Sequence, residues 1–413
     1  MKNLLQGLKP YEISEYVLLL LMAAAIPISW SLAVKILALL LANMIIKSAA
    51  SHKIGSKSLT PIGRYSMWIS IAFLAVYIVS LLYTENMSDG LDNVSRKLPF
   101  LLFPLFFLLS DISYMRKEHV RALLYIFVAI LCVRFMWKFG YAVYRFFIIK
   151  EVDHFPHSDG FDSLHHTYLA MYVLFALGFI YTEIVRYWKI LPFPQQLICA
   201  ISIPLLLAYL VCIQSRTGYV GLALMVAFVF IHVIFVQKRY LFGIIALILV
   251  TIGTVGVYTA LPDTSHRLTN TVRSVLSGSR TDDRFVITST AISTISDNMP
   301  WGVGAGDRSD QLLQHYQSTT RDETVLEHIY NPHNQFLDSL LSTGVMGLLL
   351  LLSLFVVPLV RLRQNPQREL LLALLACTIL TALFESIFER QMGMMFFLFF
   401  YGMTQQLLQT SDL

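Results

Sequence analysis

The stretch that decides the fold is residues 16–46, YVLLLLMAAAIPISWSLAVKILALLLANMII, in which Lys35 is the single charged residue. Apolar runs of about 20 residues are long enough to cross a bilayer as helices, and such runs recur throughout the chain. The 413 residues are 56% hydrophobic and 14% charged, whereas soluble domains contain about 25% charged residues. The alternating ten-residue segments of a membrane β-barrel are missing. We therefore predict an all-α polytopic membrane protein.

Twelve membrane spans are predicted from the apolar runs. The first two are short and meet near Pro27, and the fourth contains Pro99 and Pro104, which predicts a kinked or incomplete helix. No small-residue cleavage site follows residues 1–15, so we expect an uncleaved segment rather than a signal peptide. The predicted spans are 16–28, 30–46, 66–83, 98–110, 120–147, 164–183, 195–213, 218–236, 240–260, 337–360, 369–385 and 391–408.

The distribution of Lys and Arg predicts the orientation of the chain. With the N-terminus in the cytoplasm, the inner segments contain sixteen basic residues and the short outer loops contain five. This excess favours both termini inside. The chain then divides into spans one to nine (1–260), a long outer loop (261–336), and spans ten to twelve with the C-terminus (337–413). Because membrane topology explains the net charge of +5, no nucleic-acid partner is predicted.

The long outer loop is predicted to be partly helical. Residues 282–297 are expected to form an amphipathic helix because apolar residues recur there at helical spacing, and Asp282 and Asp283 suit its first turn. A turn-rich segment at 301–306 follows, and a second helix is predicted near 310–317. The apolar positions of the first helix are Ile287, Ala291, Ile292 and Ile295.

Three residues around this loop suit chemistry on an anionic substrate. Arg216 lies in the short loop between spans seven and eight, and Arg284 begins the first loop helix. The arginine fork matches phosphate oxygens, although each residue also fits a plain role as an interfacial side chain or a surface ion pair. His333, at the start of span ten, can take a proton near neutral pH and so suits a general base. A lone histidine is, however, more often structural.

Further polar residues near the same face are candidates for contact with substrate. Asn331 and Asn334 flank His333 and suit orientation of the imidazole or contact with sugar. A histidine-rich segment before span six suits either glycan or phosphate contacts or an ordinary interfacial loop, and no cysteine completes a zinc site there. Its histidines are His154, His157, His165 and His166, and its carboxylates, interpreted as plain loop residues, are Asp153, Asp159 and Asp162. The last outer turn adds acid, base or phosphate candidates, which are Glu385, Glu389 and Arg390.

Charged residues inside the predicted spans have a cost in lipid and are expected to face protein or to reach an interface. Arg145 lies near an outer end and suits the same basic site. The intramembrane basic residues are Lys35, Arg134, Lys138 and Arg145. The cysteines also fall inside apolar spans, so neither disulfides nor a cysteine metal site is predicted. They are Cys132, Cys199, Cys212 and Cys377.

Three segments resemble the O-antigen ligase family, a superfamily that also includes O-antigen polymerases and protein O-oligosaccharyltransferases. Ser215-Arg-Thr-Gly218 is similar to the family's Ser-Arg-Thr element, and Arg284 followed by Trp301-Gly-Val-Gly-Ala-Gly306 is similar to its Arg…Gly-x-Gly element. His333-Asn-Gln-Phe-Leu-Asp-Ser-Leu-Leu-Ser-Thr-Gly-Val-Met-Gly347 is similar to its His-Asn…Gly-x-x-Gly element. The resemblance covers about 210–350 by motif and the remainder by topology.

This resemblance implies an inverting, metal-independent glycosyl transfer at the periplasmic face of the bacterial inner membrane, without a cofactor. The donor would be a glycan on undecaprenyl pyrophosphate, and the acceptor a sugar hydroxyl of lipid A–core. In the family, the arginines that match Arg216 and Arg284 are assigned to the pyrophosphate, and the histidine that matches His333 is assigned to catalysis.

Several alternatives remain open at this point. An O-antigen polymerase or a protein O-oligosaccharyltransferase would use the same donor with a different acceptor, and the sequence does not separate them from a ligase. A transporter of lipid-linked sugars is an alternative from a different class. Transporters often contain internal repeats, whereas no convincing repeat is found here and the candidate residues gather at one face. This arrangement favours an enzyme.

Overall fold

A computed structural model of the protein describes residues 2–51, 55, 57–150, 162, 164–236, 238, 283–319, 331–360, 362–365 and 367–407. Predicted span nine and four residues of the histidine-rich segment, His154, His157, Asp153 and Asp159, lie outside these ranges, as does Asp282. The prediction of an all-α fold is confirmed. Within the described ranges the secondary structure is helical, with one isolated bridge between Leu59 and Gln406 and no strand.

The main helices follow one another with short connections. A four-residue turn, Lys2–Leu5, precedes the first, and α6 continues as a π-helical turn, Arg145–Ile149. The helices are α1 (Pro10–Ala25), α2 (Trp30–Ser51), α3 (Pro61–Ser80), α4 (Met87–Arg96), α5 (Pro99–Leu109), α6 (Lys117–Tyr144), α7 (His166–Tyr187), α8 (Phe193–Ile213), α9 (Arg216–Ile231), α10 (Asp283–Asp297), α11 (Arg308–Thr319), α12 (Gln335–Val356), α13 (Arg368–Ala382) and α14 (Gln391–Thr404).

Seven helices in the described part of the chain are long and apolar enough to cross a membrane, namely α2, α3, α6, α7, α8, α9 and α12 with its short continuation. The helices at predicted spans one, four, eleven and twelve contain 16, 11, 15 and 14 residues, fewer than the about 20 residues of a full crossing. The shortest of them, α5, includes Pro104 within its helix. The protein is therefore a multi-pass helical membrane protein, and the total of twelve spans stays a prediction.

The centre of the bundle is built by α7 and α14. Every residue from Gly393 to Thr404 is buried, and α7 is buried along most of its length. Phe175 of α7 packs on Phe396 and Phe400 of α14 with ring centroids 5.3 and 4.8 Å apart. Aromatic pairs at such distances add about 0.5–1.5 kcal/mol each beyond their buried area. The starts of both helices are therefore held on a well-packed base.

The helix predicted as one span over 337–360 is broken at Gly344, where φ is +66° and ψ is −158°. In a straight helix Phe336 and Phe355 would lie about 28 Å apart, yet their ring centroids are separated by 6.1 Å. The arms 335–343 and 345–356 therefore fold back on one another. Gly347 permits this close approach, because a Cβ there would lie 1.8 Å from Oγ1 of Thr343.

The turn-rich segment 300–307 docks on this bend. The amides of Val303 and Gly304 donate to the carbonyls of Leu341 and Ser342 at 2.8 and 3.0 Å, and the amide of Val345 donates to the carbonyl of Pro300 at 2.9 Å. These bonds satisfy backbone groups that the break removes from the helix ladder. The glycines of this segment thus place it against a helix bend, and no nucleotide loop is formed.

The two loop helices lie where the sequence predicts them. α10 buries Ile287, Ala291 and Ile295 in a small core with Leu312 and Tyr316 of α11. Ile292 was expected on the same face but is exposed. This core also contains Leu341, so the loop helices pack directly on the first arm of α12.

One end of the bundle carries residues 84–97, 283–319 and 383–390, and we name it the loop end. The amide of Thr60 donates to the carbonyl of Gln405 at 3.0 Å, so α3 begins at the level where α14 ends. With 20 and 14 residues, the two helices rise about 30 and 21 Å. Phe388, before α14, contacts Phe73, about 18 Å along α3. The turn 383–390 is therefore recessed by about 9 Å below the end of α3.

Candidate active site

His333 lies in this recess at the entrance to α12. Its backbone has φ of +45°, a conformation that costs a residue with a side chain energy and is concentrated at functional sites. The side-chain oxygen of Asn331 accepts the His333 amide proton at 3.1 Å. Asn334 caps α12 by accepting the amides of Phe336 and Leu337 at 2.9 and 3.1 Å. Asn331 and Asn334 therefore fix the backbone on both sides of His333, and the second oxygen is committed to the cap rather than to sugar.

Glu385 is the side chain that faces the imidazole. Nδ1 of His333 lies 3.5 Å from Oε1 of Glu385. Burial acts to raise the pKa of Glu385, but the hydrogen bond and charge of His333, with the charge of His165, outweigh burial and hold the pKa below its usual value. An ionised carboxylate at Nδ1 favours the tautomer that carries its proton there. Nε2 of His333 is then left as the basic nitrogen.

His165 and His166 join the same group. Their rings stack with centroids 4.4 Å apart, and His165 meets Tyr168 edge-on at 5.5 Å. Burial lowers the pKa of His165 to about 4, the charges of His166, Arg390 and His333 lower it further, and Glu385 opposes them. His165 is thus neutral near pH 7. We name His165, His166, His333, Glu385 and Arg390 the His333 cluster.

The segment before His165 is tied down by a buried ion pair. Asp162 accepts from Nε of Arg134 at 2.9 Å, from the Tyr209 hydroxyl at 2.7 Å and from the Leu164 amide at 3.0 Å. Arg134 also donates to the carbonyls of Pro27 and Ile28. The expectation that Arg134 faces protein is confirmed. The interpretation of Asp162 as a plain loop residue is wrong, because it neutralises this intramembrane cation.

Arg216 begins α9 at the same end of the bundle. Ser215 caps this helix by accepting the Gly218 amide at 3.2 Å, and Gln214 before it has φ of +48°. A Cβ at Gly218 would lie 2.9 Å from Cβ of Ala170, which sets the first turn of α9 beside the first turn of α7. The Arg216 side chain is exposed and has no ion pair with any described residue. It is therefore available to an anion near His166.

The other basic candidates occupy different positions. Arg284 lies in the first turn of α10, which packs on α12, and its side chain lies outside the described atoms. Arg145 lies over the ring of Tyr141 on its own helix, 5.8 Å from the centroid. Arg390 precedes α14 and is exposed. Arg390 is thus the basic candidate whose charge acts directly on the histidines.

Glu389, four residues after Glu385, has a different environment. Its oxygens lie 2.5 Å from Nζ of Lys97 and 2.8 Å from a guanidinium nitrogen of Arg308, which also contacts Asp338 at 2.8 Å. Burial acts to raise the pKa of Glu389, but Arg308 and Lys97 outweigh burial and hold it well below its usual value. We name these four residues the buried charge network. Because cations occupy both oxygens, a contact between Glu389 and substrate is disfavoured.

Three members of this network are new to the argument. Lys97 is fully buried and also approaches the ring of Tyr77 at 4.5 Å, and Asp338 is fully buried inside α12. A carboxylate within an apolar span signals a charged partner, so Asp338 was open to recognition from the sequence. Arg308 carries no such signal, because it lies in a polar loop.

The geometry above lies largely within one recognised segment. Residues 201–352 match the O-Antigen ligase family. The match confirms the resemblance drawn from the motifs and includes Arg216, Arg284 and His333. A comparison with curated proteins finds no match. The O-antigen ligase match extends from α8 to the second arm of α12, so His165, Glu385 and Arg390 are brought to the matched segment by the fold alone.

Proposed function

We propose that the protein is an O-antigen ligase that transfers a glycan from undecaprenyl pyrophosphate to a sugar hydroxyl of lipid A–core. The reaction takes place at the periplasmic face of the inner membrane, with both termini cytoplasmic, and is inverting and metal-independent. The observation that carries the proposal is the His333–Glu385 pair, which lies at the edge of the O-antigen ligase match. A family match of ligase and polymerase type supports the reaction class.

His333 acts as the general base in this mechanism. Glu385 holds the proton on Nδ1, so Nε2 takes the proton of the acceptor hydroxyl as the oxygen attacks the anomeric carbon. The bond from that carbon to the pyrophosphate oxygen breaks on the opposite face, and the configuration inverts. Neutral His165 adds no positive charge that would weaken the base.

Arg216, Arg284 and Arg390 bind the leaving pyrophosphate in the proposal. Two negative phosphates gain charge as the glycosidic bond breaks, and fixed cations stabilise that charge. Arg216 and Arg390 are exposed at the loop end, which suits a ligand that arrives from the lipid. The recess of about 9 Å below the end of α3 places the reacting atoms near the level of a donor whose tail lies between helices.

The choice of acceptor separates a ligase from a polymerase, and a strain that lacks the gene tests it. Lipopolysaccharide and lipid-linked glycans are analysed in parallel. A ligase predicts lipid A–core without glycan, together with long polymer that accumulates on undecaprenyl pyrophosphate. Core that carries a single repeat, without long polymer on either lipid, would instead identify a polymerase. Intact glycan on both lipids would reject both.

A transporter of lipid-linked sugars is the second candidate, and the break in α12 favours it, since broken helices line the binding sites of many transporters. Against it, Val303 and Gly304 occupy the carbonyls freed by the break. Purified protein with donor and acceptor in detergent distinguishes the two. An enzyme releases undecaprenyl pyrophosphate and forms a new glycosidic bond, whereas a transporter forms none.

A further inference from the structure

Helix α4 carries an apolar stripe that the rest of the described chain leaves uncovered. Met87 and Leu91, with Leu98 just beyond the helix end, are 46, 55 and 41% exposed. At 100° per residue these three positions fall within an arc of about 40°. Partly buried Val94 lies on the same arc. The stripe is therefore continuous along the whole length of α4.

The other two faces of α4 have clear partners. Gly90 and Asn93 are buried against the segment 300–307, where the Asn93 amide donates to the carbonyl of Ala305 at 2.9 Å. This protein-facing side lies roughly 90° from the apolar stripe. Asp89, Asp92 and Arg96 are exposed on the side roughly opposite the stripe. An apolar face, a charged face opposite it and a side anchored to protein are the features of a helix that lies in a membrane interface.

The apolar surface continues beyond α4 onto neighbouring segments. Leu82, after the end of α3, is 86% exposed, and Trp301, at the bend of α12, is 73% exposed. The Tyr83 hydroxyl donates to the carbonyl of Trp301 at 2.9 Å and joins the two segments. On its other side this surface meets Met346 and Leu349, exposed residues of the membrane-spanning second arm of α12. Trp and Tyr are enriched where such helices leave the membrane.

We infer that α4 and the Trp301 segment insert into the lipid leaflet at the loop end and form an apolar collar around the mouth of the recess. The occupant of the stripe is lipid, because the stripe is continuous with surfaces that already face lipid. Asp89, Asp92 and exposed Glu85 give α4 no excess of positive charge. Insertion is therefore driven by apolar burial, and we expect no requirement for anionic lipid.

The collar gives the loop segment a second attachment. The carboxylate of Asp307 accepts the amides of Glu85 and Asn86, just before α4, at 2.8 and 2.7 Å. The same segment holds the bend of α12, and the first arm of α12 begins beside His333. The depth of α4 in the leaflet is thus transmitted to the recess through backbone hydrogen bonds.

Depth measurements in lipid nanodiscs test the inference on the full chain. The variants Leu91→Cys and Met87→Cys are labelled with an environment-sensitive fluorophore, and Asp92→Cys, on the opposite face of the same helix, is the matched control. The unsubstituted protein gives the labelling background from the native cysteines. The probe at 91 and 87 should show blue-shifted emission and quenching by lipids with a shallow nitroxide, and the probe at 92 should show neither. The pattern should be the same with and without anionic lipid.

Two results would overturn the inference. Equal, water-like emission at 91 and 92 would mean that the stripe faces water. Blue-shifted emission at 91 without quenching by nitroxide lipids would mean that protein covers it, and a Leu91→Cys disulfide between two chains would identify a second copy as the occupant.

Discussion

Glu385 and Glu389 lie four residues apart in the same turn, yet they belong to groups of opposite character. In the buried charge network, Glu389 meets Lys97 and Arg308, and two cations balance two carboxylates. In the His333 cluster, Glu385 meets a histidine, and Arg390 is exposed beside it. A group whose charges are all internally paired holds structure together. A group with unpaired, accessible members is able to act on a ligand.

The largest expected effect comes from breaking the buried charge network. Glu389→Gln leaves two buried cations opposite one carboxylate, and removal of one partner of a buried pair costs about 3–5 kcal/mol. The midpoint of thermal unfolding in detergent should therefore fall steeply. Glu385→Gln, at the other end of the turn, is the matched control and should move the midpoint far less. Equal midpoints for the two variants would contradict the assignment of the network to stability.

The exposed cations should show the opposite pattern. Arg216→Ala should leave the unfolding midpoint near wild type, because no described residue pairs with it, and lower turnover by roughly 10²–10³-fold through lost stabilisation of the leaving phosphate. Arg96→Ala is the control, since Arg96 is exposed on α4 and pairs with Asp92 one turn away. Wild-type turnover in Arg216→Ala, measured as release of undecaprenyl pyrophosphate, would remove the phosphate role.

The third variant separates the two glutamates by activity. Glu385→Gln keeps the shape of the side chain but loses the charge that orients His333, and loss of a carboxylate that orients a histidine costs roughly 10–100-fold. Turnover at saturating donor is the measurement, with the unfolding midpoint as the check on folding. A variant that loses stability and keeps turnover would exchange the roles assigned to Glu385 and Glu389.

The smallest effect is a dependence of stability on pH. The pKa of His165 is lowered to about 4 in the folded protein, whereas an unfolded histidine titrates near about 6.5. Between these values the unfolded chain binds more protons, so stability rises with pH across this window and is complete above it. His165→Asn should flatten the slope of the unfolding midpoint between about pH 4 and 6.5. An unchanged slope would show that His165 does not contribute it.

The pairing of residues across the fold explains what the sequence predicted and what it did not. The long apolar runs predicted a helical membrane protein because length and hydrophobicity suffice for that inference. The break at Gly344 was not predicted, because Gly344 and Gly347 sit inside an apolar run that is long enough for one crossing. Only the contact between Phe336 and Phe355 reveals the fold-back.

The candidate site was predicted in the same uneven way. Arg216, Arg284 and His333 were selected by motif and by their position beside the loop. The different roles of Glu385 and Glu389 depend on Lys97 and Arg308, which lie 292 and 81 positions before Glu389 in the chain, and no local pattern encodes those partners. The apolar stripe of α4 was visible in the sequence at helical spacing, but a short segment between two spans was taken for a plain loop.

The central claim is that His333 is the general base, and chemical rescue tests it most directly. His333→Ala is assayed with a lipid-linked donor and lipid A–core, with and without added imidazole, beside His315→Ala, whose histidine pairs with Asp297 on the loop helices. We predict a fall of roughly 10²–10⁴-fold for His333→Ala, partial recovery with imidazole and wild-type turnover for His315→Ala. Near wild-type turnover in His333→Ala, or a loss that imidazole leaves unchanged while donor binding is also lost, would contradict the account.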